Sequence, residues 1–360
     1  MRGLILVLII GLGYLLFWPV PVQPVAYSPA KDAGLTGDFA QNAALERATF
    51  VRLPDGAIGP EDLALGADGA VSSADQAGVL YRIDSDVPQV VADLGGRPLG
   101  LDIGPDGALY IADSYRGVMR WTPQDGLAPL ASDIDGAPII YANQLDVARD
   151  GTIYFSNSSD RFDPETMGGT KPTSVMTIWE QSASGYVARR DPDGSVRKIA
   201  DGFVYTNGVA LSPDEDFLLI AETGRARVHR LWLTGPRMGE REVFLDNLPG
   251  YPDNIEPMGD GTYWLALASP RVPAEVLMPY PFLRKVIWRL GPMVQPAPIE
   301  QGHLVQFDGQ ARILRSVQDP SGDLGITTGG RVVGDHMYIM TLDSAGFGRM
   351  PVAALPAVRP

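Results

Sequence analysis

The sequence predicts an all-β fold, a six-bladed β-propeller, preceded by an N-terminal transmembrane or signal-anchor segment. Three observations carry the prediction. A short apolar run, an Asp-containing turn and an alternating strand recur six times, with turn residues Asp68, Asp106, Asp150, Asp214, Asp260 and Asp335. Successive turns lie 38, 44, 64, 46 and 75 residues apart. A period of roughly 40–45 residues with about four strands per unit marks a propeller blade. Composition agrees: 41 Gly and 31 Pro in 360 residues fit turn-rich β structure.

Taken in order, Met1-Arg2 precedes an uncharged apolar run, Gly3 to Trp18, and then Pro19, Pro21, Pro24 and Pro29. One basic residue, an apolar core and a Pro-rich exit read as a signal anchor or signal peptide over residues 1–23. The run sits at the short end of the roughly 20 residues that span a bilayer. Pro24-Val25-Ala26 is the nearest small-x-small pattern, and an uncleaved anchor is expected. Arg2 would then lie inside and the propeller outside the cytoplasm, in a periplasmic, lumenal or extracellular space. Residues 24–45 read as a polar linker, 46–352 as the propeller and 353–360 as a tail.

Within the propeller, residues 48–53 precede the first inner strand and are expected to close the ring against the last blade, removing a sheet edge. After the turns, Ala108 to Ala112, Thr152 to Ser156 and Phe217 to Ala221 alternate as strands do. The two long intervals hold insertions at 160–185 and 268–303. The second contains a short amphipathic stretch, Pro279 to Leu290, with three basic residues, expected as a helix packed on the propeller face, a lid, or a surface beside the membrane.

A net charge of −14 argues against nucleic acid, whose phosphates need a basic surface. With no cysteine, disulfides, thiol catalysis and zinc–thiolate sites are excluded.

Counting back seven from each turn Asp gives Glu61, Leu99, Asn143, Asn207, Asp253 and Thr328. Residues at one offset in successive blades share one height around the central channel. Glu61, Asn143, Asn207 and Asp253 would therefore meet there as hard oxygen ligands, suited to Ca²⁺, with Mg²⁺ or another divalent ion as the alternative. Tyr141, Tyr205 and Tyr251 each lie two residues before a ligand, on its face of a regular strand, and are expected to ring a substrate pocket that Asn254 completes. His229, His303 and His336 fall outside the register and read as structural or surface groups.

The segments Tyr205 to Asp214, Ile220 to Thr223, Leu248 to Ile255 and Tyr141 to Val147, with Tyr154 to Ser159, resemble the strictosidine synthase-like family across residues 50–350. More distantly the pattern is similar to gluconolactonases and paraoxonases. The resemblance implies a propeller with a channel divalent ion held by Glu61, Asn143, Asn207 and Asp253. It also implies lactone or aryl-ester hydrolysis of a small-molecule substrate, with Asp253 as general base or nucleophile. The last-blade stretch Thr327 to Val333 lacks the glutamate used for Pictet–Spengler condensation, so that reaction is not expected. Leu99 stands where paraoxonase-like enzymes carry histidine, and Gln144 replaces the usual Asp. A non-catalytic, membrane-tethered binding module with a structural metal is the alternative.

Overall fold

The computed structural model describes residues 2–83 and 87–359; Met1 and Pro360, at the ends of the expected anchor and tail, lie outside them. Six four-stranded antiparallel sheets follow one another round a ring. Blade one is Leu63–Leu65, Val71–Ala74, Val79–Ile83 and Gln89–Asp93, with the inner strand first. The inner strands of blades two to six are Pro98–Ile103, Ala142–Val147, Thr206–Leu211, Gly250–Pro257 and Thr327–Val333. The outermost strand of blade six is Thr49–Arg52, which pairs with Gly346–Pro351, Thr49 facing Arg349 and Arg52 facing Gly346. The ring is thus closed by the start of the propeller, as the sequence suggests. Val51 packs there with Phe347, Met340, Leu63 and Val71, so one apolar cluster joins the last blade to the first.

The recurring turn has a local cause. Four of the six turn Asp residues accept the backbone N–H two residues on: Asp68 from Ala70 at 3.1 Å, Asp106 from Ala108 at 3.1 Å, Asp150 from Thr152 at 2.8 Å and Asp260 from Thr262 at 2.9 Å. The Gly after each takes a positive φ, for example 76° at Gly107, which side chains resist. In blade four Glu215 takes φ 56° instead, and Ser212 Oγ accepts the N–H groups of Asp216 and Phe217.

Neighbouring blades are stapled by carboxylates. Asp62 accepts the Leu101 N–H at 2.7 Å, Asp102 that of Val147 at 2.9 Å, and Asp146 that of Leu211 at 2.7 Å. Glycine lets the inner strands approach this closely. A Cβ at Gly208 would lie 2.5 Å from the Asp253 carbonyl oxygen.

Among the described residues three α-helices leave the ring of strands. Helix α1 (Arg2–Phe17) has no buried residue. Helix α2 (Thr170–Glu180) lies between the second and third strands of blade three, and α3 (Pro281–Arg289) in the same connection of blade five. Both insertions emerge at the end of the ring where the inner strands begin, and they form a lid there. The linker is strapped across that lid. Gln23 N–H donates to Glu180 Oε2, Val25 N–H to the Glu180 carbonyl at 2.8 Å and Tyr27 N–H to the Met278 carbonyl at 3.1 Å. Among the described residues no helix is long and apolar enough to cross a membrane.

Candidate metal and substrate site

Five inner strands slip register at the seventh position before their turn. Pairing shifts between Pro98 and Gly100, Ala142 and Leu145, Thr206 and Val209, Pro252 and Ile255, and Thr327 and Gly329. A bulge re-aims the side chain it carries, which sets Leu99, Asn143, Asn207, Asp253 and Thr328 apart from the alternation of their strands. In blade one the strand begins only at Leu63, leaving Glu61 before it.

The four oxygen residues are all buried. Glu61 Oε2 is paired with Arg97 at 2.7 Å. Its backbone carbonyl accepts the Thr328 hydroxyl at 2.7 Å and the Asn254 amide at 3.4 Å. Asn143 Nδ2 donates to Ser158 Oγ at 2.9 Å, and Ser158 donates onward to the Thr206 carbonyl at 2.8 Å. That relay engages the amide nitrogen and leaves its oxygen free. Asn143 Oδ1, Asn207 Oδ1 and Asp253 Oδ1 are buried without a hydrogen-bond partner. Burial and then the nearby Glu61 charge push the Asp253 carboxyl well above the usual carboxylate range. Burial raises Glu61 to about 7, against the opposing pull of Arg97.

Glu61, Asn207, Asp253, Tyr205 and Tyr251 share the wall of one cavity, about 820 Å³ out to its open mouth. The lid supplies Lys171, Ile178, Trp179, Val272, Met278 and Pro296 to Pro298, so most of the wall is apolar. Asn143, Tyr141 and Asn254 are not on that wall.

The tyrosines do not form the even ring their spacing suggests. The two-residue rule holds only along a regular strand, and a bulge separates each tyrosine from the strand that follows. Tyr141 stands behind: its hydroxyl donates to the Thr170 carbonyl at 2.7 Å and lies 2.8 Å from the Tyr205 hydroxyl. A phenol has one hydrogen, so Tyr205 must donate to Tyr141. Tyr205 holds φ at 58°, a strained backbone for so bulky a residue and a feature of functional sites. Tyr251 donates to Glu275 Oε1 at 2.7 Å and accepts the Val272 N–H at 3.3 Å, tying the wall to the lid. Asn254 braces the backbone of Glu61.

Arg97 escaped the sequence reading. It occupies in blade two the offset that gives Tyr141, Tyr205 and Tyr251 in blades three to five; extending that count to every blade finds it. Further along the inner strands lies a second polar layer of Asp102, Asp146, Glu256 and Arg331, with Arg331 3.6 Å from Glu256. No histidine lines the cavity. His229 pairs with Glu222 at 2.7 Å, His303 bonds Ser316 at 2.9 Å and His336 meets Arg349.

Among the described residues no three of His, Cys, Asp and Glu gather as a metal site. The candidate donors are two carboxylates and two amides, of which Glu61, Asn207 and Asp253 share the cavity wall, and three of the oxygens lack a partner. That set fits a hard cation of the calcium type.

The comparisons with known proteins agree with this architecture. Residues 143–236 match the strictosidine synthase family, and residues 37–83 match the strictosidine synthase-like amino-terminal family. Protein strictosidine synthase-like 13 of Arabidopsis thaliana is 36% identical over 69% of this chain, and the match spans 62% of the plant protein. Adipocyte plasma membrane-associated protein of Danio rerio is 30% identical over 84% of this chain and 77% of its own length. Among solved structures, a gluconolactonase from Xanthomonas campestris superposes with a TM-score of 0.62 at 19% identity, over 86% of this chain and 94% of its own. The calcium-binding protein regucalcin from Agrobacterium tumefaciens gives 0.57 at 16% identity, over 86% and 94%. These superpositions show a shared fold. The chain belongs to the strictosidine synthase-like family.

Proposed function

We propose that the chain is a divalent-metal-dependent hydrolase of lactone or aryl-ester substrates. The observation that carries this reading is the trio of buried, partnerless oxygens on Asn143, Asn207 and Asp253, beside Glu61. Leaving such groups empty costs about 1–3 kcal/mol each, and Ca²⁺ first, Mg²⁺ second, matches their chemistry. The likeness in fold to a gluconolactonase and to a calcium-binding protein supports both halves of the reading. A bound cation would supply Lewis-acid polarisation of the substrate carbonyl. Asp253, as ligand and neighbour of the substrate carbonyl, takes the proton of an attacking water on its carboxylate. Tyr205 and Tyr251 have committed their protons to Tyr141 and Glu275. They therefore hold substrate by shape and by their lone pairs. The apolar lid excludes bulk water.

The full-length chain, purified in mild detergent, should carry a stoichiometric divalent ion by elemental analysis. It should hydrolyse members of a lactone and aryl-ester panel, lose that activity to chelator and regain it with Ca²⁺. Asp253→Asn should lower turnover by roughly 10²–10⁴-fold. A chain that holds its metal but turns over nothing in the panel overturns the hydrolase.

One observation favours the non-catalytic binding module with a structural metal instead: the cavity wall carries no histidine, and the last inner strand has Thr328 where a catalytic carboxylate would stand. Loss of thermal stability on chelation, with no activity under any condition, would select it.

We also infer that α1 fixes the chain to a membrane with the propeller outside the cytoplasm. Its 16 residues run about 24 Å, short of a hydrocarbon core of about 30 Å. Its apolar side chains nevertheless stand in the open, Leu4 at 67% and Phe17 at 80% exposure.

A further inference from the structure

We propose that the outer face of the blade-five lid is a lipid-docking surface, seated in the membrane interface beside α1 so that the cavity opens towards the bilayer. The proposal rests on the anchoring reading above and is independent of the hydrolase.

The segment between Pro270 and Gly302 has two sides. Its inner side lines the cavity through Val272 and Met278. Its outer side exposes Val276, Tyr280, Phe282, Leu283, Leu290 and Met293, the last at 98%. Single exposed apolar residues are ordinary, but this density within one short segment is not.

Helix α3 is inverted relative to a helix that faces water. Its buried residues are Arg284 and Arg289, while Phe282, Leu283 and Leu290 point out. The arginines are turned inward to hold backbone. Arg284 donates to the carbonyls of Trp179 and Val25, and Arg289 to those of Trp18 at 2.6 Å and Leu15 at 3.0 Å. A guanidinium on the free carbonyls at the end of α1 also suits the helix dipole.

Those bonds make the lid face continuous with α1. Tyr14 closes the junction, its hydroxyl donating to the Arg289 carbonyl at 3.0 Å. From Gly3 to Phe17 helix α1 has no charged residue and buries no side chain. A protein groove covers one side of a helix, whereas lipid covers all of them, so the occupant that fits both α1 and the lid is a bilayer. Tyr14 and Trp18 stand at the junction, where interfacial aromatics belong. Charge permits the contact: Arg284 and Arg289 are turned inward and Arg271 pairs with Glu275 at 2.7 Å, which leaves Lys285 and Glu300 as the unburied charges of the segment.

The chain has no cysteine, so an introduced one is a unique label site. Met293→Cys, Leu8→Cys and Gln124→Cys, each in the full chain, would carry an environment-sensitive fluorophore in phosphatidylcholine vesicles containing lipid-borne quencher. The expected result is a blue shift and severalfold stronger quenching at positions 293 and 8 than at 124, in the distant turn of blade two. Adding Phe282→Ser, Leu283→Ser and Leu290→Ser, all at exposed positions, should abolish quenching at 293 and leave it at 8. A label at 293 that behaves like 124 while 8 is quenched overturns the proposal, as does quenching at 293 that survives the triple substitution. Self-association in detergent that buries the 293 label would assign the face to a second copy and overturn it too. None of these readings requires turnover.

Discussion

At the scale of single residues, the ion pair between Glu61 and Arg97 governs how much negative charge the cavity presents. Both side chains are almost fully buried, and the pair is direct at 2.7 Å. Removing one partner of a buried pair typically costs about 3–5 kcal/mol, because the other charge is stranded. Arg97→Met should therefore destabilise the metal-free chain by that order in urea unfolding, with part of the loss recovered in saturating Ca²⁺. A loss below about 1 kcal/mol would mean Glu61 simply holds a proton. The register of Glu61, Asn143, Asn207 and Asp253 was countable in the sequence because an Asp recurs in every turn, and for three of the four that Asp closes its own turn, fixing the origin of the count. The orientation of those groups was not countable. Ser158, which turns the Asn143 amide, lies just past the end of the second strand of blade three, Ile153–Asn157. The bulges that part Tyr141 from Asn143 leave no composition signal.

Among elements, the strands were legible and their connections only in outline. Alternation and turn spacing locate six inner strands, since period-two burial is a local property. The partner of Thr49–Arg52 follows from topology, because a ring needs closing. A lid was one of the roles read for the second insertion, but what the first insertion and the linker do was hidden. The bonds that bind them join Arg284 to Val25 and Glu180 to Gln23, across long sequence separations. The closure strand provides the sharpest test at this scale. Val51 is buried between the last blade and the first. Val51→Asp places an unpaired charge there and should cost roughly 3–5 kcal/mol, read as an earlier urea midpoint. An unchanged midpoint would mean that the ring holds without this strand.

For the whole molecule, the channel acids decide how stability varies with pH. Burial, reinforced by the Asp146 charge, raises Asp102 to about 8. Burial also lifts Asp62, Asp146 and Glu256. An acid raised in the folded state keeps its proton there while the unfolded chain has lost it. Its contribution is therefore complete below the ordinary Asp range and fades as pH climbs towards about 8. His303 works oppositely: burial lowers it to about 4, so the unfolded chain binds the extra proton and stability drains as pH falls from about 6.5. Four raised acids outweigh one imidazole, so these groups together make stability decline as pH climbs from about 4 towards 8. Asp102→Asn should remove part of the alkaline decline, raising stability at pH 8 by on the order of 1–3 kcal/mol relative to pH 5. Melting curves across that range check it, and parallel profiles for the two chains would refute the assignment.

The splice between Thr49–Arg52 and Gly346–Pro351 also governs the timing of biogenesis. A segment made early must wait, as an open edge, through about 300 residues of translation before its mate leaves the ribosome. Until the last blade is made, the first cannot be locked to it, so closing the ring is the last event of folding rather than the first.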